Sequence, residues 1–200
     1  MLFAYYQETL LEQWIHTKYL NYGIMYPGDL DIERIAEVFG VELVYGPHPS
    51  FCDNEERVIF LNQDADQVTA RVIFFHELCH VLRHAGDQRR MTELFKNAQE
   101  TEADQFVLYA AIPFYIFAKL PIPDQRNEAI PYLAEVFQVP LELAEQRLDQ
   151  IQRRVLHGSL IAAALEADRR QQRQADAAWS SETRRVLSQL ERQLGQKGGR

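Results

Sequence analysis

The stretch Arg71-Val72-Ile73-Phe74-Phe75-His76-Glu77-Leu78-Cys79-His80-Val81-Leu82-Arg83-His84 decides the reading of this chain. Its apolar residues recur at helical spacing, which predicts one helix over Thr69 to His84, closed by Gly86. Inside it stands H-E-x-x-H. Residues i and i+4 share a helix face, so His76 and His80 can turn two imidazole nitrogens to one ion. Zinc takes N and O ligands at about 2.0–2.2 Å, usually three from protein at a catalytic site, with a water in the fourth place. Glu77, next to the first His, is then placed as the general base for that water. The rival reading is an amphipathic helix that happens to carry two His. The apolar flanks count against it, because burying two His and a Glu without partners is costly.

A third ligand is needed. His84 continues the i+4 series, but at about 1.5 Å per residue it lies about 12 Å along the axis from His76. Three such residues form a row and do not converge, so His84 is expected behind the ligands or at the surface. Downstream, Glu100-Thr101-Glu102-Ala103-Asp104 opens a helix whose apolar face is Ala103, Phe106, Val107, Ala110 and Ala111. Glu100 and Asp104 share a face. One can bind the metal while the other accepts a ring N–H from a ligating His. Spacing and order favour Glu100 as ligand, and Asp104 is expected to be buried and hydrogen-bonded. Glu102 points away from that pair and reads as a solvated or capping acid.

These residues, with Gly23-Ile24, Asp31-Ile32, Ile35-Ala36, Pro113, Phe137-x-Val139-Pro140 and Arg147-Leu148, resemble the ImmA/IrrE family of metallopeptidases over about residues 20–155. The resemblance implies an intracellular zinc endopeptidase, with manganese as the alternative metal. It implies a small sheet packed on a helical zinc-peptidase core, His76, His80 and Glu100 as ligands, Glu77 as catalytic base and Asp104 beside them. Some members cut a repressor protein and so release genes of a mobile element or a stress response. A helix-turn-helix repressor is therefore the expected partner. The family usually has Gly where Cys79 stands and often Asn where Asp104 stands. Cys79 reads as a small buried residue rather than a redox thiol. The rival class is a metal-stabilised adaptor that binds a regulator without cutting it.

Outward from the motif, the pattern predicts a helix over residues 2–20 and a second over Ile32 to Phe39, capped by Asp31 and ended by Gly40. Val41 to Tyr45 and Arg57 to Leu61 read as strands. The second of these is either a core strand or an edge strand that holds extended substrate. Helices follow over residues 92–111, 127–137 and 141–156, and the whole is an α+β order. Across that pair, residues 127–151 carry five acids against Arg147 alone, hostile to phosphate, so it is structural rather than a DNA reader. For oxyanion stabilisation the candidates are Tyr109, His84 and His157, with no choice among them.

Composition agrees. The 200 residues are 46% hydrophobic and 25% charged, as in folded proteins and unlike disordered ones. The net charge of -8 argues against a broad nucleic-acid footprint. Two cysteines, Cys52 and Cys79, make no disulfide scaffold. The first residues lack a basic run, so no signal peptide is expected. The longest apolar run, Phe106 to Ala118, is too short to span a membrane and contains Pro113. A cytoplasmic protein is expected. Residues 1–140 carry a net -11 and residues 141–200 a net +3. That shift divides the chain into a domain over 1–155 and a charged helical extension over 156–200. The extension has Trp179, Thr183, Val186, Leu187, Leu190 and Leu194 at helical steps. It reads as a solvated helix, with Gly195 to Arg200 disordered, rather than as a partner-binding face.

Overall fold

Thr9 and Glu12 decide where the first helix begins. The Thr9 side chain accepts the Glu12 backbone N–H, and the Glu12 carboxylate accepts the Thr9 N–H in return. In the computed structural model, which describes residues 3–84, 92–178 and 181–197, helix α1 therefore spans Leu10–Asn21 and not 2–20. The preceding segment packs its rings instead. Tyr6 stacks on Phe114 at 3.6 Å, and Phe3 meets Phe114 and Phe117 edge-on.

Helix α2 (Ile32–Phe39) follows the expected punctuation. Asp31 caps it by accepting the Arg34 N–H, and Gly40 closes it in the left-handed region at φ 64°. Three strands come next: β1 (Glu42–Gly46), β2 (Phe51–Asp53) and β3 (Val58–Asn62). Their spatial order is β1-β3-β2, with β1 parallel and β2 antiparallel to β3. β3 is thus the central strand, and the edge-strand reading of 57–61 is corrected. Both of its ladders are occupied, and Ile59 and Leu61 are buried beneath the helices. Arg57 is left out of the strand because it turns at φ 57°, with its guanidinium donating to the Gly40 carbonyl oxygen at 3.1 Å and to that of Phe39. The edge next to the helices is β2, three residues that show no alternation long enough to read.

Helices α3 (Gln67–Arg83) and α4 (Glu93–Ala111) form the main packed pair. α3 buries Phe74, Phe75, Leu78 and Cys79; α4 buries Ala103, Phe106, Val107, Ala110 and Ala111. Each large side chain so buried is worth about 1.5–3 kcal/mol. α3 ends at Arg83 with His84 as its cap, and Gly86 lies outside the described residues. Pro113 ends α4's run and starts the short α5 (Phe114–Phe117); α6 (Arg126–Phe137) and α7 (Leu141–Ala178) follow. The chain is α+β, with a small mixed sheet, a helical core and a helical C-terminal region.

α7 is far longer than the expected 141–156. It runs unbroken through residues 155 and 156, burying Ala144, Leu148 and Ile151 before its later turns become exposed. Ser181–Lys197 is a further helix, α8, which carries helix into the stretch expected to be disordered. Trp179 lies outside the described residues. Along α7, Gly158 takes the backbone of the N-terminal segment: a Cβ built there would stand 2.1 Å from the Tyr5 carbonyl oxygen. Gly158→Ala is therefore expected to lower the thermal midpoint. Overpacking costs about 1–3 kcal/mol and exceeds the ~1 kcal/mol that Ala gains over Gly in a helix. A melt that rises instead would mean the segment does not lie there.

One polar cluster is sealed in this core. Glu12 is 4% exposed and Arg147 is fully buried. Arg147 donates to Glu12 at 2.8 Å and to the Ile112 carbonyl oxygen at 3.0 Å, and its guanidinium covers the Tyr109 ring. Tyr6 and Arg154 also reach Glu12. Among the described residues no helix is long and apolar enough to cross a membrane.

Candidate metal centre

His76 and His80 project from one face of α3, one turn apart, and their Nε2 atoms stand 3.1 Å from each other. α4 brings Glu100 against both: its carboxylate lies 3.1 Å from His76 Nε2 and 3.6 Å from His80 Nε2. Among the described residues these three side chains form a group whose donor atoms all lie within 4.8 Å of one another. The spacings suit a cation. Ligands at about 2.0–2.2 Å in a tetrahedron stand about 3.3–3.6 Å apart, close to the separations found. Burial pushes the His80 imidazole below its ordinary value, and the adjacent His76 adds to this. The ring therefore stays neutral and keeps a lone pair. The donor set fits a zinc-class divalent ion.

Glu77 follows His76 on the helix and is half-buried. Its carboxylate lies close enough to Cys52 on β2 to act on that thiol's charge. Burial and then Glu77 itself push that thiol well above its ordinary value, so it stays protonated. The thiol donates to the Asn54 side-chain oxygen at 3.2 Å. Sequence reading missed Cys52 as a neighbour of Glu77, since nothing in Phe51-Cys52-Asp53 marks a strand beside the motif.

Asp104 sits where the spacing put it, next to His76, but the expected burial is corrected. Its side chain is 76% exposed, and its oxygen is 3.6 Å from His76 Nδ1, beyond hydrogen-bond reach. Ala103, Phe106 and Val107 carry the buried face, and residue 104 turns toward the open side. Glu102 is corrected as well. It is not a free acid but pairs with Arg83 and with His84 Nε2 at 3.3 Å. Burial raises its carboxyl, yet Arg83 and His84 outweigh this and hold it below the usual range.

Of the oxyanion candidates, Tyr109 donates to Gln105 at 3.0 Å and accepts from Gln150 and Arg154, so its hydroxyl belongs to the Arg147 cluster. His84 lies behind His80, and His157 is exposed on α7. Cys79 is fully buried, and its thiol is pushed up to about 12 by burial and by Glu102, which suits an inert packing residue.

Comparison with known proteins agrees with this geometry. A family model described as Peptidase_M78, IrrE N-terminal-like domain, matches residues 42–149, which hold His76, Glu77, His80, Glu100 and Asp104. The Phage-like element PBSX protein XkdA of Bacillus subtilis (strain 168) is 33% identical over 146 residues, covering 72% of this chain and 74% of that protein. The uncharacterized protein YqaB of the same organism is 28% identical over 145 residues, covering 72% and 84%. A solved structure, a Mycobacterium tuberculosis transcriptional regulator, shares the fold at a TM-score of 0.51 and 17% identity. It matches over 67% of this chain, which spans under half of that protein (44%). The motif, the clustered donors and the matched span agree: this chain belongs to the ImmA/IrrE family, the group of metallopeptidases with an IrrE N-terminal-like domain.

Proposed function

We propose that this protein is a zinc-dependent endopeptidase of the cytoplasm that cuts a regulatory protein, a helix-turn-helix repressor, and so derepresses genes of a mobile element. The supporting observation is the convergence of His76 Nε2, His80 Nε2 and the Glu100 carboxylate, with Glu77 adjoining them. The repressor as substrate follows from the family resemblance, and the name of the phage-element relative gives it context.

His76, His80 and Glu100 would hold the ion. Zinc so held supplies a Lewis acid for the scissile carbonyl and an acidified water. Glu77 takes the proton of the attacking water on its carboxylate and returns it to the leaving amine. Asp104 borders His76 on the open side. An extended substrate segment lies along the free edge of β2, beside Glu77, adding a strand to the sheet. Phe51, half exposed and stacked on Phe60 at 4.5 Å, offers an apolar surface there.

Metal content tests the assignment. Mass spectrometry of the purified chain is expected to find about one zinc per molecule, lost in both His80→Ala and Glu100→Ala. Loss in His80→Ala alone would transfer the third position to Asp104. No zinc in wild type, and none taken up on addition, would sink the peptidase reading.

A further inference from the structure

His80 has a second nitrogen, and the structure shows where it goes. His80 Nδ1 stands 2.8 Å from His84 Nδ1. His84 Nε2 in turn stands 3.3 Å from the Glu102 carboxylate, and Glu102 is held from the other side by Arg83. The side chains of His80 and His84 are 6% and 5% exposed, so these contacts are shielded from water.

Helix termination makes the contact possible. A straight helix would stack His84 one turn beyond His80 without convergence. Here α3 ends at Arg83, and His84 adopts extended backbone at φ -107°, ψ 115°. Its N–H still donates to the His80 carbonyl oxygen at 3.1 Å, while the Asn54 side chain, just past β2, donates to the His84 carbonyl oxygen at 3.0 Å. The residue is thus pinned by its backbone at both ends, and its ring is left to bridge His80 and Glu102.

We propose that His84 and Glu102 are positioning residues that act through His80, fixing which of its nitrogens is free to take the metal. This rests on the metal-site reading above. The proton assignment follows by elimination. For His80 Nε2 to offer a lone pair beside His76 and Glu100, its proton must sit on Nδ1. That N–H donates to His84 Nδ1, which must then be the bare nitrogen of its ring. The His84 proton is therefore on Nε2, where it donates to the Glu102 carboxylate. One carboxylate on α4, two bonds back from the ligand, sets the tautomer and the angle of the His80 ring. Glu102 thus contributes to the site although it faces away from Glu100 on its own helix.

The test is zinc affinity of the full chain, by competition with a chromophoric chelator, with circular dichroism and an apo-protein melt to verify folding. His84→Ala is expected to weaken binding by about 10–100-fold, as removal of a partner behind a ligating His does. His84→Asn places an amide oxygen where Nδ1 stood and is expected to recover much of that loss. Glu102→Ala, at a half-exposed position that tolerates truncation, is expected to weaken binding by several-fold. In the zinc-loaded protein, two-dimensional nitrogen-proton spectra should show the His80 proton on Nδ1. The proposal is overturned if folded His84→Ala binds zinc as tightly as wild type, or if Asn binds no better than Ala. A wild type that takes up no zinc removes the metal site itself, and the relay with it.

Discussion

Glu77→Gln is expected to lower peptide cleavage by about 10²–10⁴-fold and to leave zinc content unchanged. The amide has nearly the shape and volume of the carboxylate, so the cleft keeps its form. It has no basic oxygen for the proton of water. Glu77 is outside the group formed by His76, His80 and Glu100, so the metal donors are untouched. The measurement is cleavage of a purified regulator proposed as the substrate on a gel, beside the derepression response in cells. Loss of both, with partner binding retained, supports proteolysis. A response that survives in Glu77→Gln would hand the function to an adaptor that binds the regulator without cutting it.

The largest effect on stability is expected at the Glu12–Arg147 pair. Arg147 is fully buried, and Glu12→Gln leaves its charge without its carboxylate. Breaking one side of a buried pair costs about 3–5 kcal/mol. For a chain of this size that is a fall of about 6–20 °C in the thermal midpoint. Replacing both partners together, as Glu12→Leu with Arg147→Met, is expected to cost much less, because no buried charge is left over. A Glu12→Gln melt within a degree or two of wild type would show that the cluster is not sealed.

The same pair sets an acid limit. Burial pushes the Glu12 carboxyl up, but Arg147, the Tyr6 hydroxyl and the Thr9 N–H outweigh it and hold it below its ordinary 4.5. A carboxyl depressed by folding contributes stability that is complete above the ordinary value and lost as pH falls through the depressed one. Wild type should therefore lose stability below about pH 4.5, and Glu12→Gln should lack that share of the loss.

The expectations that the structure meets are those set by near neighbours in the chain. The i,i+4 pairing of His76 and His80 is a property of any α-helix. The α2 boundaries follow from an Asp side chain at one end and a left-handed Gly at the other. Expectations failed where a local signal was overlooked or outweighed. Thr9 and Glu12 form a capping box that starts α1 eight residues later than its apolar pattern suggested. The helix expected over 141–156 and the helical extension expected after it are one continuous helix, α7, since helix propensity does not require burial.

By itself, the sequence determined the helix carrying the two His and Glu77, the acid-bearing helix that follows and the α+β order, because helical periodicity and capping act within a few residues. Tertiary structure alone decided the sheet order that makes β3 central and β2 the edge beside Glu77. It alone joined Glu12 to Arg147, 135 residues apart, and turned His84 and Glu102 back onto His80. Those contacts depend on how whole elements pack, and pairing between distant residues leaves no period in the chain from which it could be read.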